Sequence, residues 1–590
     1  MVNSMPPGML LILGALLIPF LKGNVQKGYG VLLPIISCVQ MVMLPSDWVF
    51  HTTLFNYELT PVRVDKLSLV WGYVFHIAAL LSVVYQLHVK DKLQDIAGLM
   101  YAGAAIAAVF AGDLVTLFVF WEGTAITSVF LIYANRTSRS AKVGTRYLII
   151  QVGSGVILLF GMLLWVVEMQ SLDFGATYSS DKWQLFGMFV NAETKTPLNA
   201  GAWLILLAFG IKAAFPFLHN WLQDSYPEGT VTGTVFLSAF TTKLAIYALV
   251  RGFAGTEMLI PIGVAMTLFP IFFAVIENDL RKVLAYSLNN QLGYMVVGVG
   301  IGTQLALNGA ASHAFAHIIY KGLLFMAMGA VLHRTGTIKA SELGGLYKSM
   351  PLTAVFCIIG SLSISGFPIF SGFVTKSMTL SAAFNTHQEW LFVGLLIASA
   401  GVVDHSGIKI PFFAFFAHDS GRRVKEAPLN MLIAMGTAAF LCIFLGLYPQ
   451  PLYNLLPFEV RADAEGTAWH NFTWSHVLTS LQLLLFAALA FVILFRKGIY
   501  PDEIKAINLD TDVVYRRWIP AAWRQGAHLL RNARTVVVGS ALGSLNRLVA
   551  EISRHHGREG VMARTWATGS IVFLGLLVMS AYLLAYLVLL

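Results

Sequence analysis

Charged residues are scarce in this sequence. Only 12% of its 590 residues are Asp, Glu, Lys or Arg, whereas 57% are hydrophobic. Soluble domains carry about 25% charged residues, so this composition excludes an ordinary soluble protein and indicates an all-α polytopic membrane protein. The net charge of +9 is carried by residues between apolar runs. It therefore reflects membrane topology rather than binding to nucleic acid.

Cysteine is nearly absent. Cys38, Cys357 and Cys442 are scattered within or near apolar stretches, and no two have the spacing of metal ligands. This argues against a disulfide framework, a zinc site and a cysteine-bound iron–sulfur centre. The sequence also contains no P-loop and no dinucleotide fingerprint. We therefore expect no cofactor, no metal, and no redox or ATP-hydrolysing centre in this chain.

Apolar runs long enough to cross a bilayer occur about sixteen times. The first has no basic residues before it and no A-x-A cleavage site, so we interpret it as a retained span rather than a signal sequence. The predicted spans lie near 8–22, 28–48, 66–88, 95–111, 113–133, 143–168, 200–222, 229–254, 258–276, 283–303, 305–333, 353–384, 390–408, 429–449, 475–495 and 566–590.

Basic residues are concentrated in loops that the alternation of these spans places on one side. These residues are Arg136, Arg139, Lys142, Arg146, Arg281, Lys282, Arg334, Lys339, Lys348, Arg422, Arg423, Lys425, Arg496 and Lys497. The opposite loops, near 49–64, 170–199 and 450–473, are mixed or acidic. The positive-inside rule then predicts that both termini lie outside, in an inner membrane of the bacterial type.

A lysine lies in the middle of the span near 200–222. Four residues after Lys212, Pro216 has no N–H to donate to the lysine's carbonyl, so we expect a helix break where the charge lies. Irregular backbone at membrane depth is tolerated where it is buried in protein or lines a watery cavity. A charge at the bilayer centre costs about 2.5–3.5 kcal/mol on insertion scales, which predicts a partner or a water path. The alternative is a lysine that snorkels to the surface.

The span near 353–384 shares this pattern. Pro368 lies between Gly366 and Gly372, and Lys376 follows shortly after. Each interrupted span is the fourth in a block of five, and blocks with an odd number of spans insert in opposite orientations. We therefore predict two inverted five-helix repeats with broken helices, a pattern typical of a transporter's pathway. The alternative is two unrelated prolines, which membrane helices often contain.

A short set of ionisable residues lies within the predicted spans. They are Glu122, Lys212, Lys243, His313, His317, Lys321 and Lys376. Desolvation favours the neutral form of Glu122 or Lys212 alone, whereas pairing favours both charges, so closure of the pair would control the lysine's proton. Lysine can release that proton, which arginine cannot. A static buried salt bridge between them is the alternative.

We predict a hydrated proton relay beyond this pair, with His313 and His219 as possible accessory groups. The relay residues would be Lys243, His317, Lys321 and Lys376. His313 and His317 have the spacing of a zinc-binding helix, but Ala314 replaces the glutamate of H-E-x-x-H, so we expect no metal there.

The stretch from about 498 to 565 is basic and lacks a full apolar run. Nine arginines alternate there with Trp518, Trp523 and aliphatic residues. This pattern is typical of an amphipathic helix on the cytoplasmic membrane surface or against the bundle. A solvated connector to the last span is an equal alternative.

These motifs resemble those of the proton-pumping antiporter-like subunits. That superfamily comprises large membrane subunits of respiratory complex I, membrane-bound hydrogenases and Mrp-type multisubunit cation/proton antiporters. The resemblance extends from about residue 96 to 449. It is carried by residues 120–122, 212–216, 219–222, 243–247, 278–287, 291–294, 313–321 and 372–376. Residues 361–377 and 409–420 resemble the D-type subunit of Mrp antiporters most, whereas the 498–590 extension is similar to the carboxyl ends of larger members.

The resemblance implies roles for the intramembrane residues. It implies Glu122–Lys212 as the coupling pair, Lys243 as the central relay and Lys376 as the distal relay, with His317 and Lys321 between them. It also implies a hetero-oligomeric complex with other membrane subunits. The domains expected are 1–92, N-terminal helices; 93–256, first repeat; 257–420, second repeat; 421–497, C-terminal helices; 498–565, basic segment; and 566–590, final helix.

The expected function is proton translocation in a multisubunit antiporter that exchanges Na⁺ or K⁺ for H⁺. Such a chain is a transporter component rather than an enzyme. One alternative is a pumping subunit of a redox-driven complex, such as a membrane-bound hydrogenase or an NADH:quinone oxidoreductase. Another is a scaffold whose inherited charges no longer conduct protons.

Overall fold

The computed structural model describes residues 5–589 except 55–56, 176–185, 192, 461–469, 502, 505–507 and 565–566. Parts of the predicted outer loops near 170–199 and 450–473, and both ends of the final predicted span, therefore lie outside the described residues. The chain divides into two compact units, Met1–Asp510 and Thr511–Leu590.

The first unit consists of helices and one hairpin. Its first α-helices are α1 (Met9–Ala15), α2 (Gly23–Val42), α3 (Lys66–Gln86), α4 (Lys92–Val109), α5 (Leu114–Tyr133), α6 (Ser138–Met169), α7 (Ala200–Ala213), α8 (Asn220–Ser225), α9 (Gly233–Ala239) and α10 (Thr241–Phe253). They continue with α11 (Leu259–Ile276), α12 (Leu280–Ile301), α13 (Gln304–Thr335), α14 (Pro351–Ser365), α15 (Ser371–Phe384), α16 (Glu389–Val402), α17 (Lys409–Pro411), α18 (Leu429–Leu447), α19 (Gln450–Leu455) and α20 (Trp474–Arg496). Two π-helical stretches, Val403–Ile408 and Phe412–Phe416, flank α17.

The second unit contains a π-helical turn and two long helices. Val514–Trp518 leads into α21 (Ile519–His556), and α22 (Thr568–Leu589) follows. The segment predicted to be basic and amphipathic is therefore largely one helix of 38 residues.

Twelve helices in the described part are long and apolar enough to cross a membrane, so the chain is a multi-pass membrane protein. Eleven of them coincide with predicted spans, and the twelfth, Val514–His556, lies in the basic segment. The other five predicted spans fall on helices that are shorter or less apolar. They are Met9–Phe20, Lys92–Val109, Ala200–Ala213, Leu280–Ile301 and the two helices near 353–384. The predicted count of sixteen is therefore not confirmed.

A β-hairpin between α2 and α3 was not predicted from the sequence. Its strands, β1 (Val49–Leu54) and β2 (Tyr57–Arg63), pair in antiparallel fashion with an irregularity between Phe50 and Thr52. Outside this hairpin the regular elements of the described residues are helical. The protein is therefore an all-helical membrane bundle, as predicted, with this one short hairpin in addition.

Side-chain caps and close helix packing define the bundle. Asp65 accepts a hydrogen bond from the N–H of Ser68 and so caps the start of α3, in a reciprocal capping box. Gly263 of α11 lies against Gly293 of α12, where a Cβ would meet backbone. Small residues at such contacts let membrane helices approach closely. The core centres on α13, which is buried continuously from residue 306 to 331.

Candidate functional site

The first interruption lies between α7 and α8. The helix ends at Ala213, and Ala214 adopts a left-handed backbone with φ 62°. Pro216 follows, then Phe217 with φ 67°, before α8 begins at Asn220. Left-handed backbone is strained for residues with a Cβ and cannot continue a helix. The chain is therefore non-helical directly after Lys212.

The second interruption, between α14 and α15, repeats this backbone pattern. Gly366 has φ 78°, Pro368 follows two residues later, and Ile369 has φ 73°. Left-handed residues thus stand two positions before and one position after the proline, as Ala214 and Phe217 do in the first interruption. The two interruptions share a local conformation as well as a sequence pattern.

Lys212 is fully buried at the end of α7 and contacts α5. Its Nζ donates to the carbonyl oxygen of Trp121 at 2.6 Å and to the hydroxyl of Thr124 at 3.0 Å. The ammonium also lies 4.2 Å from the centre of the Trp121 ring, a cation–π distance. Its immediate neighbours on α5 are therefore dipoles and a ring face.

Glu122 is half-buried on the same turn of α5. Its Oε1 is buried without a hydrogen-bond partner, and no ion pair with Lys212 forms within 4 Å among the described residues. Gly155 of α6 provides the space for this carboxylate, since a Cβ there would overlap it. Lys212 thus contacts the turn of α5 that carries Glu122 but does not contact the Glu122 carboxylate.

Lys243 is buried near another irregularity, between α9 and α10. Its Nζ donates to the carbonyl of Ser238 at 2.6 Å, across Phe240, where the two helices meet. The carbonyl of Lys243 accepts from the indole N–H of Trp71 at 2.9 Å. The lysine is therefore fixed at both its backbone and its ammonium.

His313, His317 and Lys321 lie along the fully buried part of α13. His313 Nδ1 lies 3.0 Å from the hydroxyl of Thr375, and its Nε2 lies 3.4 Å from the hydroxyl of Tyr320. In contrast, both ring nitrogens of His317 and the Nζ of Lys321 have no hydrogen-bond partner among the described residues. Such buried polar groups are costly unless they bind water or protons.

Lys376 lies on α15, just after the second interruption. Its Nζ donates to the carbonyl of Ile364 at 2.7 Å and lies 5.5 Å from the ring centre of Tyr294. The preceding residue, Thr375, is the hydrogen-bond partner of His313. Two consecutive residues of α15 thus have separate roles: Thr375 contacts His313 of α13, and Lys376 is the predicted distal lysine.

Backbone carbonyls hold three of the four lysines of the predicted relay. Lys212, Lys243 and Lys376 each lie near a helix irregularity and donate to a carbonyl oxygen, whereas Lys321 has no hydrogen-bond partner among the described residues. A carbonyl dipole stabilises an ammonium group less than a carboxylate partner would. Charging several of these lysines at once is therefore costly. The arrangement therefore favours holding few protons at one time, a property suited to passing them on.

His219 lies at the start of α8 and contacts the end of the first unit. Its Nε2 is 3.1 Å from Oδ2 of Asp510, which also accepts from the hydroxyl of Tyr286 at 2.9 Å. His219, predicted as an accessory group of the relay, thus belongs to a buried acid–base cluster.

Two charged clusters were not predicted from the sequence. Lys409, fully buried, pairs with Glu503 at 2.8 Å and donates to the carbonyl of Glu277 at 2.8 Å. Arg251 of α10 pairs with Asp65 at 2.7 Å. Lys409 and Arg251 lie at or near the ends of predicted spans. A charged residue in that position is the sequence feature that could have indicated these clusters.

The Asp65 cluster is strongly electrostatic. Burial alone would raise the pKa of Asp65, but the guanidinium groups of Arg251 and Arg63 and the N–H of Ser68 hold that pKa below its ordinary value. Because Asp65 also caps α3, the cluster ties α10 to the start of that helix.

Residues 111–400 match a known family model. Its description is "NADH:quinone oxidoreductase/Mrp antiporter, TM", and the match covers just under half of the chain. The matched range contains every ionisable residue of the predicted relay and both helix interruptions. Asp510 lies outside it.

Curated relatives include Na⁺/H⁺ antiporter subunits. The A-type subunit from Alkalihalophilus pseudofirmus is 29% identical over 547 residues, which cover 82% of this chain and 66% of the relative. The A1-type subunit from Staphylococcus aureus is 28% identical over 493 residues, covering 75% and 60%. The chain thus spans slightly less than two thirds of the length of these relatives. Both relatives are of the A type, so the predicted likeness to the D type is not confirmed.

Two solved structures share the fold. The Mrp complex from Dietzia sp. DQ12-45-1b contains a chain with a TM-score of 0.73 and 22% identity, covering 92% of this chain and 62% of that one. An archaeal respiratory complex, the membrane-bound sulfane sulfur reductase, contains one with a TM-score of 0.70 and 21% identity, covering 98% and 100%. Both likenesses are of the fold alone.

Proposed function

We propose that this chain is a proton-translocating membrane subunit of a multisubunit antiporter that exchanges Na⁺ or K⁺ for H⁺. The observation that carries this proposal is the burial of all four relay lysines, three of which lie near helix irregularities and donate to carbonyl oxygens. Intramembrane ionisable groups at broken helices are typical of ion and proton pathways.

Glu122 and Lys212 would act as the coupling pair. Lys212 contacts Trp121 and Thr124, one position before and two positions after Glu122 on α5, so a movement of its side chain or of α7 would bring it to the carboxylate. Closing the pair would hold the proton on Lys212, and opening it would favour release. The helix interruption after Lys212 supports such movement, because non-helical backbone absorbs changes in dihedral angle.

The remaining relay would run through Lys243, Lys321, His317 and Lys376, with water linking the groups. His317 and Lys321 have the free donors and acceptors that bridging water needs, since none of their polar atoms has a protein partner among the described residues. His313 would assist at the Lys376 end through Thr375.

Partners and topology extend this proposal. The likeness to chains of multisubunit membrane complexes supports other membrane subunits as partners. We place the chain in a bacterial-type plasma membrane with both termini outside. The common backbone pattern of the two interruptions supports two inverted five-helix repeats at 93–256 and 257–420. The relatives support an A-type role more than a D-type one.

A second candidate is a proton-pumping subunit of a redox-driven complex. The observation that favours it is the fold shared along 98% of this chain with a chain of an archaeal respiratory complex. The same lysine relay would serve there, with energy supplied by electron transfer on partner chains.

Purification of the native complex tests the proposal. We expect hydrophobic subunits without metal centres, and we expect an imposed Na⁺ or K⁺ gradient to drive proton movement after reconstitution into vesicles. Companion chains with iron–sulfur or nickel centres would instead establish the redox-driven candidate. A complex that moves no protons under either driving force would contradict both and favour the non-conducting scaffold.

A further inference from the structure

After α20, the described residues 498–501, 503–504 and 508–510 form a segment that packs against the helices of the first unit. Tyr500 packs against Phe491, with ring centres 4.9 Å apart. Glu503 pairs with the buried Lys409 at 2.8 Å. Asp510, at the end of this segment, is only 6% exposed. The segment therefore brings two carboxylates into the bundle from a part of the chain outside the matched family range.

Asp510 completes a buried cluster of three titratable groups. Its Oδ2 accepts from the hydroxyl of Tyr286 and lies 3.1 Å from Nε2 of His219. His219 is 1% exposed, and its Nδ1 has no hydrogen-bond partner in the described part of the chain. One ring nitrogen of His219 therefore contacts the Asp510 carboxylate, and the other has no hydrogen-bond partner among the described residues. In this arrangement a histidine can accept a proton at one nitrogen and release one from the other.

Two phenylalanines of α11 pack against this cluster. Phe269 of α11 lies 4.5 Å from the His219 ring, and Phe273 stacks on Tyr286 at 5.3 Å, and neither phenylalanine titrates.

One charged pair lies beside Tyr286. Glu277 accepts from Asn508 at 3.2 Å and pairs with Lys282 at 2.9 Å. The Nζ of Lys282 lies 6.0 Å from the Tyr286 ring centre.

The cluster lies near the face that carries the basic loops. Tyr286 is six residues into α12, about 9 Å from its start at a rise of 1.5 Å per residue. Arg146 pairs with Asp224 at 3.0 Å near the end of α8, the helix that His219 precedes. A proton from water at that face would therefore meet this cluster before the middle of the bundle.

We propose that Asp510, His219 and Tyr286 form a proton-binding inlet to the first helix interruption, in addition to the lysine relay. The Asp510 carboxylate accepts a proton from water and passes it to Nε2 of His219. The resulting imidazolium releases the proton on Nδ1 toward the interruption, which leaves neutral histidine and the carboxylate. Tyr286 orients the carboxylate by donating to it. This inference rests on the proposed proton translocation.

Asp510→Asn in the complete complex tests the inlet. The amide cannot carry the proton, so we expect cation-driven proton transport to fall at least about tenfold and its pH profile to flatten. Asp510→Glu should restore most of the rate, because it keeps a carboxylate. Asp512→Asn is the matched control: Asp512 pairs with Arg516 at 2.7 Å, and its variant should keep the wild-type rate and profile.

Two further variants make the result decisive. His219→Gln keeps a donor for Asp510 but cannot relay a proton, so it should lose transport even where assembly is normal. Lys243→Ala, measured in parallel, reports on the relay itself.

Wild-type transport in Asp510→Asn and His219→Gln, with Lys243→Ala inactive, would overturn the inlet and leave the proposed function standing. Wild-type transport in all three would overturn both. Equal losses in Asp510→Asn and Asp510→Glu with an unchanged pH profile would make Asp510 structural and overturn the inlet.

Discussion

Lys212 donates hydrogen bonds to the backbone carbonyl of Trp121, at 2.6 Å, and to the hydroxyl of Thr124, and not to the carboxylate of Glu122. The ammonium is therefore held beside its predicted partner by a dipole and a ring face. Two positions, on the carbonyl and on the carboxylate, would differ in how strongly they hold the proton. This relationship gives the coupling pair a structural basis for switching.

Substitution of Gly155 tests the position of the Glu122 carboxylate. Gly155→Ala places a methyl group where the carboxylate lies, so Glu122 must turn away from its place beside α6. We expect cation/proton exchange in everted membrane vesicles to fall toward that of Glu122→Ala. Gly153→Ala, on the same helix with open space around it, should retain wild-type exchange. Equal activity of both alanine variants would contradict the role given to this carboxylate.

Ala214 tests the backbone of the first interruption. Glycine adopts the left-handed conformation without the strain of a Cβ, so Ala214→Gly should be neutral or stabilise the protein by about 1 kcal/mol. Ala213→Gly, one residue earlier at the end of α7, should destabilise it by about 0.5–1 kcal/mol. Thermal unfolding in detergent measures both. A loss of stability in Ala214→Gly equal to that in Ala213→Gly would show that Ala214 is not left-handed.

Asp65 predicts a pH dependence of stability. Its pKa is lower in the folded protein than in the unfolded chain, so its contribution is complete above the ordinary aspartate pKa of about 4 and is lost as the pH falls below it. Thermal unfolding of wild type should therefore weaken more steeply on acidification than that of Asp65→Asn. The exposed Asp47 provides the control, and Asp47→Asn should follow the wild-type curve. Parallel curves for wild type and Asp65→Asn would contradict the Arg251–Asp65 ion pair.

Two threonines of α15 allow a test of whether the hydroxyl that contacts His313 is needed for exchange. Thr375→Val keeps the shape but removes the partner of His313, so exchange should fall several-fold if His313 assists at the Lys376 end. Thr379→Val, one turn later, removes a buried hydroxyl that has no partner in the described structure. It should retain exchange and stability. Similar exchange rates for the two variants would exclude His313 from the pathway.

Sequence reasoning could locate the buried charges but not their contacts. Lysines and prolines inside apolar runs are visible in the sequence because both are costly in a membrane helix, and they gave Lys212, Lys243, Lys376 and the two interruptions. The choice of Trp121 rather than Glu122 as the contact of Lys212 depends on side-chain geometry that periodicity does not contain.

Long-range partners were equally hidden. His219 and Asp510 are separated by 291 positions, and Asp510 lies in a polar segment where an aspartate is ordinary. The hairpin at Val49–Arg63 was missed because it is short and lies in a loop of mixed composition. The span count was too high by the criteria of length and apolarity, because helices such as α12 carry buried polar residues and α7 and α14 end at interruptions.

Exchange by Lys212→Arg tests the central claim most directly. Arginine keeps the positive charge and can donate to Trp121 and Glu122, but it cannot release a proton at any pH the protein encounters. If Lys212 passes protons, exchange in everted vesicles should be abolished while the complex assembles normally. Lys339→Arg, at a partly exposed lysine paired with Asp279, should remain fully active. Wild-type exchange by Lys212→Arg would show that Lys212 is only a fixed charge and would contradict the account.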